Sequence, residues 1–227
     1  MIRDTIKDAE YFNEYLNYQN KRIQLFIDRA NSIQDKAKNA ALYSNISVFL
    51  KDKFYASYSY GVSTLELIPI YLEWLSAVEK SSDVCYSDLI DLASLCVLLE
   101  PGESSPNRVE ALITKSKEKD DLLDFFSLQL TEQPLKFPIN DIKYSEYAEL
   151  KSTLISADKA QQKDRLHDYI NKAWYQSNKN SAWYDSHLSK QNTYVGYWCF
   201  IGAAIVKILS LDFKNFSDIK FFPSDIC

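Results

Sequence analysis

Residues 183–198 read Trp183-Tyr-Asp-Ser-His-Leu-Ser-Lys-Gln-Asn-Thr-Tyr-Val-Gly-Tyr-Trp198 and run straight into Cys-Phe-Ile-Gly-Ala-Ala-Ile-Val-Lys-Ile-Leu-Ser-Leu211. The first half sets Trp and Tyr around Asp185 and His187, one of only two histidines in the chain. Two readings compete: a small active site with His187 as base, or the polar corner of a helical core. Adjacency argues against the first. Asp185, Ser186 and His187 are consecutive, so on a helix they point about 100° apart and cannot converge as a nucleophile–base–orienter set. If the stretch is helical, Trp183 and His187 stack at i, i+4, as do Tyr194 and Trp198. Trp174, Tyr175, Asn178 and Tyr184 add donors and hydroxyls to the same network, which must satisfy itself when buried. The following segment, Tyr194 to Leu211, is the most apolar in the chain. With Lys207 inside it is too short for a membrane span, which needs about 20 apolar residues. It reads as a central core helix, with Gly202, Ala203 and Ala204 offering a flat side to a neighbour.

The rest of the chain fits a helical fold. Only 4 Gly and 6 Pro punctuate 227 residues, while 16 Tyr and 12 Phe supply core and interface rings. Ile6, Tyr11-Phe12, Tyr15-Leu16, Ile23 and Phe26-Ile27 recur at three- and four-residue steps, and the pattern resumes from Ala40 to Tyr58. Two long antiparallel helices broken near 36–40 account for it. Gly61 marks a boundary, and Pro69 starts or kinks the next helix. A further helix opens with Ser87 as cap candidate and ends at Pro101-Gly102. Glu100 to Asn107 is the linker candidate. Beyond it lie a helix from Ser105-Pro106, a short amphipathic helix over Asp120–Leu130, a loop at Gln133 to Pro138, and helices over Tyr144–Ile155 and Ala157–Tyr175. The expectation is an all-α, compact bundle of about eight to ten helices with little or no sheet. It divides into an N-terminal part, 1–103, and a C-terminal part, 104–227, packed as one compact unit.

Net charge is −5, and it is uneven: residues 83–150 hold 14 acids and 6 bases, whereas 151–227 hold 7 acids and 10 bases. An acidic middle suits a partner with a basic surface, or simply solvated helix faces. The basic residues of the C-terminal part alternate with Asp158, Asp164 and Asp168, so a nucleic-acid surface is not expected. No GxSxG, Walker, HExxH or GxGxxG motif occurs. Cys85, Cys96, Cys199 and Cys227 lack CxxC spacing and read as reduced core thiols. The charged start, Met-Ile-Arg-Asp, lacks the look of a signal peptide, which implies a cytoplasmic protein. No metal, no cofactor, no catalytic residue and no membrane contact are expected.

One stretch is family-specific. Trp174-Tyr175, Ser177-Asn178-Lys179, Trp183-Tyr184-Asp185-Ser186-His187, Tyr194, Gly196-Tyr197-Trp198, Ala203-Ala204, Lys207 and Leu209 resemble the PoNi immunity proteins, and the opening Arg3-Asp4, Lys7-Asp8 and Tyr11-Phe12 resemble them more weakly. The resemblance implies an all-helical cytoplasmic protein that neutralises a PoNe-type DNase toxin of the PD-(D/E)xK class, delivered between bacteria by contact-dependent (type VI) secretion. A cognate toxin is the partner so implied, with the protein itself a monomer or a dimer. An inhibitor of a nuclease meets a surface built for phosphates, so Asp120, Asp121, Asp124, Glu103 and Glu110 are the candidate toxin-binding residues. Two other readings remain: a small helical hydrolase using His187, and a helical scaffold or adaptor.

Overall fold

The computed structural model describes residues 2–134 and 139–226, and these are helices, turns and extended connections without a β-strand. The all-α expectation is met among them. Most of the loop expected at Gln133 to Pro138, together with Cys227, lies outside the described residues. The chain divides into two units. One comprises residues 1–85 and 185–196, the other 86–184 and 197–227.

In the first unit, α1 (Ala9–Ser32) and α2 (Lys36–Tyr60) form an antiparallel pair joined by three residues. The Asp8 and Asp35 side chains cap them, accepting from the main-chain N–H of Tyr11 and Lys38. Apolar residues at helical spacing hold the pair together. Phe12 and Phe54 are wholly buried, and Phe26 meets Phe49 edge to face at 5.0 Å. The buried Gln19 donates to the Phe49 carbonyl at 3.1 Å, and the Arg22 guanidinium lies 3.6 Å over the Phe49 ring. Gly61, at φ +99°, ends α2 in the left-handed conformation that a side chain resists. Then α3 (Thr64–Lys80) begins at a reciprocal cap between Ser63 and Glu66. The helix runs through Pro69 rather than starting there.

The remainder of this unit, residues 185–196, contains one turn of 3-10 helix at Ser186–Leu188. Tyr194 to Cys199 is then irregular, and helix α10 starts only at Phe200. This corrects the single core helix expected over 194–211. Gly196 sits at φ +109°, outside the right-handed helical region, and the groups around it bond elsewhere. The Tyr11 hydroxyl donates to the Tyr194 carbonyl at 2.9 Å and accepts from the Tyr194 N–H at 3.0 Å. Ser59 Oγ donates to the Val195 carbonyl at 2.7 Å. The Tyr194 hydroxyl donates to Asp4 Oδ2 at 2.6 Å, with Asp4 buried. Arg3 completes the pin. It donates to the carbonyls of Tyr58 and Val62, at 2.9 and 2.7 Å, around the C-terminus of α2.

The second unit is built on α4 (Tyr86–Leu99), α5 (Ser105–Lys115), α6 (Asp121–Leu130), α7 (Leu150–Leu154), α8 (Lys159–Asp168), α9 (Trp174–Ser177) and α10 (Phe200–Ile208). Helix α10 packs on α4 and is buried from Phe200 through Val206. A Cβ at Gly202 would come within 2.8 Å of the Ile170 side chain, so close packing requires glycine there. Lys207 is tolerated because its ammonium leaves the core to pair with Glu100 at 2.7 Å. Three further readings need adjustment. Helix α4 begins at Tyr86, so Ser87 is inside the first turn rather than its cap. The region 144–155 forms a 3-10 turn at Ser145–Tyr147 and then the short α7, while α8 passes into α9 through a π-turn at Tyr169–Ala173. Cys85 is exposed, whereas Cys96 and Cys199 are buried thiols as expected. The linker candidate at 100–107 is a tight turn inside this unit, with Gly102 at φ +118°.

The pin of Tyr194 on Asp4 is testable. Tyr194→Phe keeps the ring and deprives a buried carboxylate of its hydroxyl partner, which costs about 1–3 kcal/mol. Urea denaturation should show that loss with an unchanged slope. A loss below about 0.3 kcal/mol would mean that Asp4 is satisfied without this bond.

Candidate functional site

The acidic segment and the aromatic block are the two places where the sequence concentrates chemistry. At the head of α6, Asp120 is 7% exposed and works as a cap. Its carboxylate accepts from the Leu123 N–H at 3.0 Å, the Tyr86 hydroxyl at 2.7 Å and the Lys143 N–H at 3.0 Å. Burial and the adjacent carboxylate push the Tyr86 hydroxyl well above its ordinary pKa, so it stays a donor. The Tyr86 ring in turn lies 4.3 Å from Tyr144 and 5.7 Å from Tyr147. Asp121 is half-buried. Its carboxylate accepts from the N–H groups of Asn140 and Asp141, while its own N–H donates to the Asp141 carbonyl at 2.9 Å. Those backbone donors hold the Asp121 carboxyl below the usual carboxylate range. The Lys143 ammonium pairs with Glu118 and depresses its pKa likewise. The first two aspartates therefore clasp residues 140–143 onto α6.

The other candidates face outward. Asp124 and Glu103 are exposed, and the half-exposed Glu110 accepts from Thr114 Oγ1 at 2.6 Å. Asp124 lies in the first turn of α6, where a negative charge also complements the helix dipole. The structure thus joins Asp120 and Asp121 in one clasp, to which Asp124 is tied through the main chain, its N–H donating to the Asp120 carbonyl at 3.1 Å.

The aromatic block separates into two sets, because no helix carries residues 183–187. In the second unit, Trp174 stacks on Trp183 at 5.5 Å and Tyr175 on Tyr184 at 4.6 Å. Tyr175 also meets Tyr197 and Phe221, each at 5.0 Å. The buried Asn178 donates to the Trp174 carbonyl at 2.8 Å, closing the end of α9. Trp198 is buried in the irregular segment that leads to α10. In the first unit, Asp185 adopts φ +54° at the start of the 3-10 turn, and His187 lies edge-on to Tyr194 at 6.2 Å between ring centres. The i, i+4 pairs expected for Trp183 with His187 and for Tyr194 with Trp198 do not apply, since neither pair lies on a helix. Consecutive residues of a 3-10 turn point about 120° apart, so Ser186 and His187 diverge here too.

Sequence reasoning missed Asp4, Tyr11 and Ser59 as the partners of Tyr194, and Tyr86 and Lys143 as those of Asp120. The signal for the first set was Asp4 itself, an acid embedded in an otherwise recognisable block. Among the described residues no group of three His, Cys, Asp or Glu side chains is placed to hold a metal ion, and no helix is long and apolar enough to cross a membrane.

Residues 118–226, from the clasp to the end of the aromatic block and beyond, match the family model for PoNe immunity proteins (PoNi), C-terminal. Among solved structures the chain resembles one titled the crystal structure of protein PA2201 from Pseudomonas aeruginosa, with a TM-score of 0.66 and 14% identity. The likeness covers 100% of this chain and 96% of that one, and it bears on the fold. No curated protein matches the sequence.

Two substitutions separate architecture from surface. Asp120→Ala removes a cap and strands the buried Tyr86 hydroxyl, a loss of about 2–3 kcal/mol by chemical denaturation. Lys143→Ala breaks an exposed ion pair and should cost under about 1 kcal/mol. The sign for Asp121 follows from its depressed pKa. Its stabilisation is complete above the unfolded-state value, near pH 4, and is lost as pH falls through the folded value. The stability gap between wild type and Asp121→Asn should therefore be constant at neutral pH and close under acid. A gap that widened below pH ~4 would contradict the clasp.

Proposed function

We propose that this chain, whose residues 118–226 match the family of PoNe immunity proteins, binds and neutralises a cognate nuclease toxin, sparing the cell that makes it. The match over 118–226 carries this reading. The toxin is a DNase of the PD-(D/E)xK class delivered by type VI secretion, and the meeting takes place in the cytoplasm. Inhibition is by occlusion, so the protein performs no reaction, and the partner is the toxin rather than DNA or membrane. The division at 103/104 belongs to the same proposal, with 104–227 as the part that defines the family.

The physical support is the division of labour among the carboxylates. A nuclease surface that holds phosphates is basic, and exposed acids on an inhibitor speed the encounter and set specificity. Asp120 and Asp121 are engaged in the clasp, so within the proposed toxin-facing set they shape the surface. Asp124, Glu103 and Glu110 present charge to it. The aromatic and polar residues hold the fold in two sets, with Trp174 and Asn178 in the second unit and Asp185, His187 and Tyr194 in the first.

Co-expression with the nuclease encoded beside this gene tests the proposal: the protein restores growth, and a pull-down recovers both chains. Titration into purified nuclease should stop DNA cleavage at a fixed molar ratio. Inhibition far below that ratio would instead point to catalysis, and His187→Ala would then abolish it. Asp124→Lys with Glu103→Lys should slow association about tenfold at low salt and flatten its salt dependence, with a stability loss confined to the reversed helix-dipole contact of Asp124, about 1 kcal/mol. Unaltered kinetics in that variant would remove the exposed acids from the mechanism.

A further inference from the structure

Helix α1 carries a second apolar stripe besides the one it buries against α2. Tyr11, Tyr18 and Leu25 follow at seven-residue steps, each a drift of only about 20°, so the three side chains share one side of the helix. Tyr18 is 59% and Leu25 49% exposed, while Tyr11 is half-buried with its hydroxyl on the Tyr194 main chain. The buried residues Phe12, Tyr15, Gln19 and Ile23 lie about 100° round the helix from this stripe. Between the two, Tyr15 reaches Asp52 at 3.4 Å and Arg22 covers the Phe49 ring at 3.6 Å. On α2, Val48 stands one turn before Asp52, borders that same side and is 51% exposed. Exposed Tyr and Leu repeating every seven residues form the kind of seam by which helices pair.

Charge says what surface fits the seam. Glu14 and Lys21 are exposed and flank the stripe on the side away from Arg22. Three and four residues from Glu14 stand Glu10, Tyr11, Asn17 and Tyr18, and from Lys21 stand Asn17, Tyr18, Gln24 and Leu25. Helix α1 therefore offers neither of them an opposite charge one turn away. A complementary face needs a base and an acid about 10 Å apart along an apolar centre, which is the spacing of seven helical residues. The same stripe turned end for end has both. With Tyr18 set against Tyr18 of a second copy, Tyr11 meets Leu25, and Glu14 falls within one residue of the level of Lys21. A two-fold axis there keeps like flanks together, so the pair forms twice. A parallel arrangement would instead bring Lys21 level with Arg22 of the second copy, base against base.

We propose that this face of α1 joins two copies of the protein, packed antiparallel about Tyr18 with Glu14 of each copy paired to Lys21 of the other. The inference is independent of the immunity reading, because α1 lies outside the matched residues 118–226. Tyr18 and Leu25 anchor the contact, and the charges fix its direction.

Sedimentation velocity on the full chain, over about 1–100 μM, should show a monomer–dimer equilibrium that weakens with added salt. Lys21→Glu turns both ion pairs into repulsions and should weaken the dimer about tenfold or more. Glu14→Lys with Lys21→Glu exchanges the pair and should restore wild-type dimerisation within about threefold. Tyr18→Lys, which sets two like charges at the axis, should leave a monomer whose far-ultraviolet circular dichroism matches the wild type. A wild type that stays monomeric throughout that range overturns the inference, and so does a dimer that Lys21→Glu leaves intact or that the exchange fails to restore. A monomeric wild type whose binding to the nuclease is weakened by Tyr18→Lys gives the face to the toxin, which overturns this inference and leaves the immunity reading standing.

Discussion

A buried carboxylate meeting a buried phenol organises the first unit. Tyr194 gives its hydroxyl to Asp4, and its main chain exchanges two hydrogen bonds with the Tyr11 hydroxyl. The reason is backbone accounting. Residues 194–196 lie in neither a helix nor a strand, so their buried N–H and C=O groups need partners other than a regular ladder. Tyr11 and Ser59 supply them. Asp4 also accepts from the N–H groups of Ile6 and Lys7, which folds the N-terminal segment around the same carboxylate. Residues 3–11, 58–62 and 185–196 thereby become one object, and removing any member leaves the others with buried polar groups that water cannot reach.

Helical periodicity made the first helix legible, because it buries one stripe and solvates the other, whereas α2 buries four consecutive residues, Ala56 to Ser59, near its end. Aspartates stand one residue before α1, α2, α6 and α8, where a cap is chemically required. Tyr194 to Cys199 was not legible on the same basis. A run that is apolar on every side has no phase to read, so a buried helix and a buried irregular segment look alike. Gly196 carried the distinguishing information, and a single glycine inside an apolar run is a weak signal until its φ is known. The π-turn at 169–173 is similar: nothing in Tyr-Ile-Asn-Lys-Ala marks one extra residue in a helical turn.

The candidate site was legible as a composition and not as a geometry. Five carboxylates were singled out from a segment of net −8 (6 bases against 14 acids), and charge alone cannot tell a cap from a solvated face. Position relative to the helix start can. Asp120 is the residue before an apolar helix, so its oxygen is drawn back to the Leu123 N–H; Asp124, one turn later, points off the packed face. The aromatic block was misplaced for a related reason. Its residues are contiguous and were read as one network, yet the chain passes from one unit to the other after Tyr184 and returns after Gly196. Asp185, at φ +54°, opens that excursion.

The groups that fix the fold and the groups proposed to meet the toxin are different residues, and this separation has a consequence for specificity. Asp4, Tyr194, Asp120 and Tyr86 hold buried bonds, so exchange at any of them is costly in stability. Asp124 and Glu103 are exposed, and exchanges at such positions are usually within about 0.5 kcal/mol of neutral for folding. A surface of that kind can be retuned to a changing partner by single substitutions while the frame stays intact.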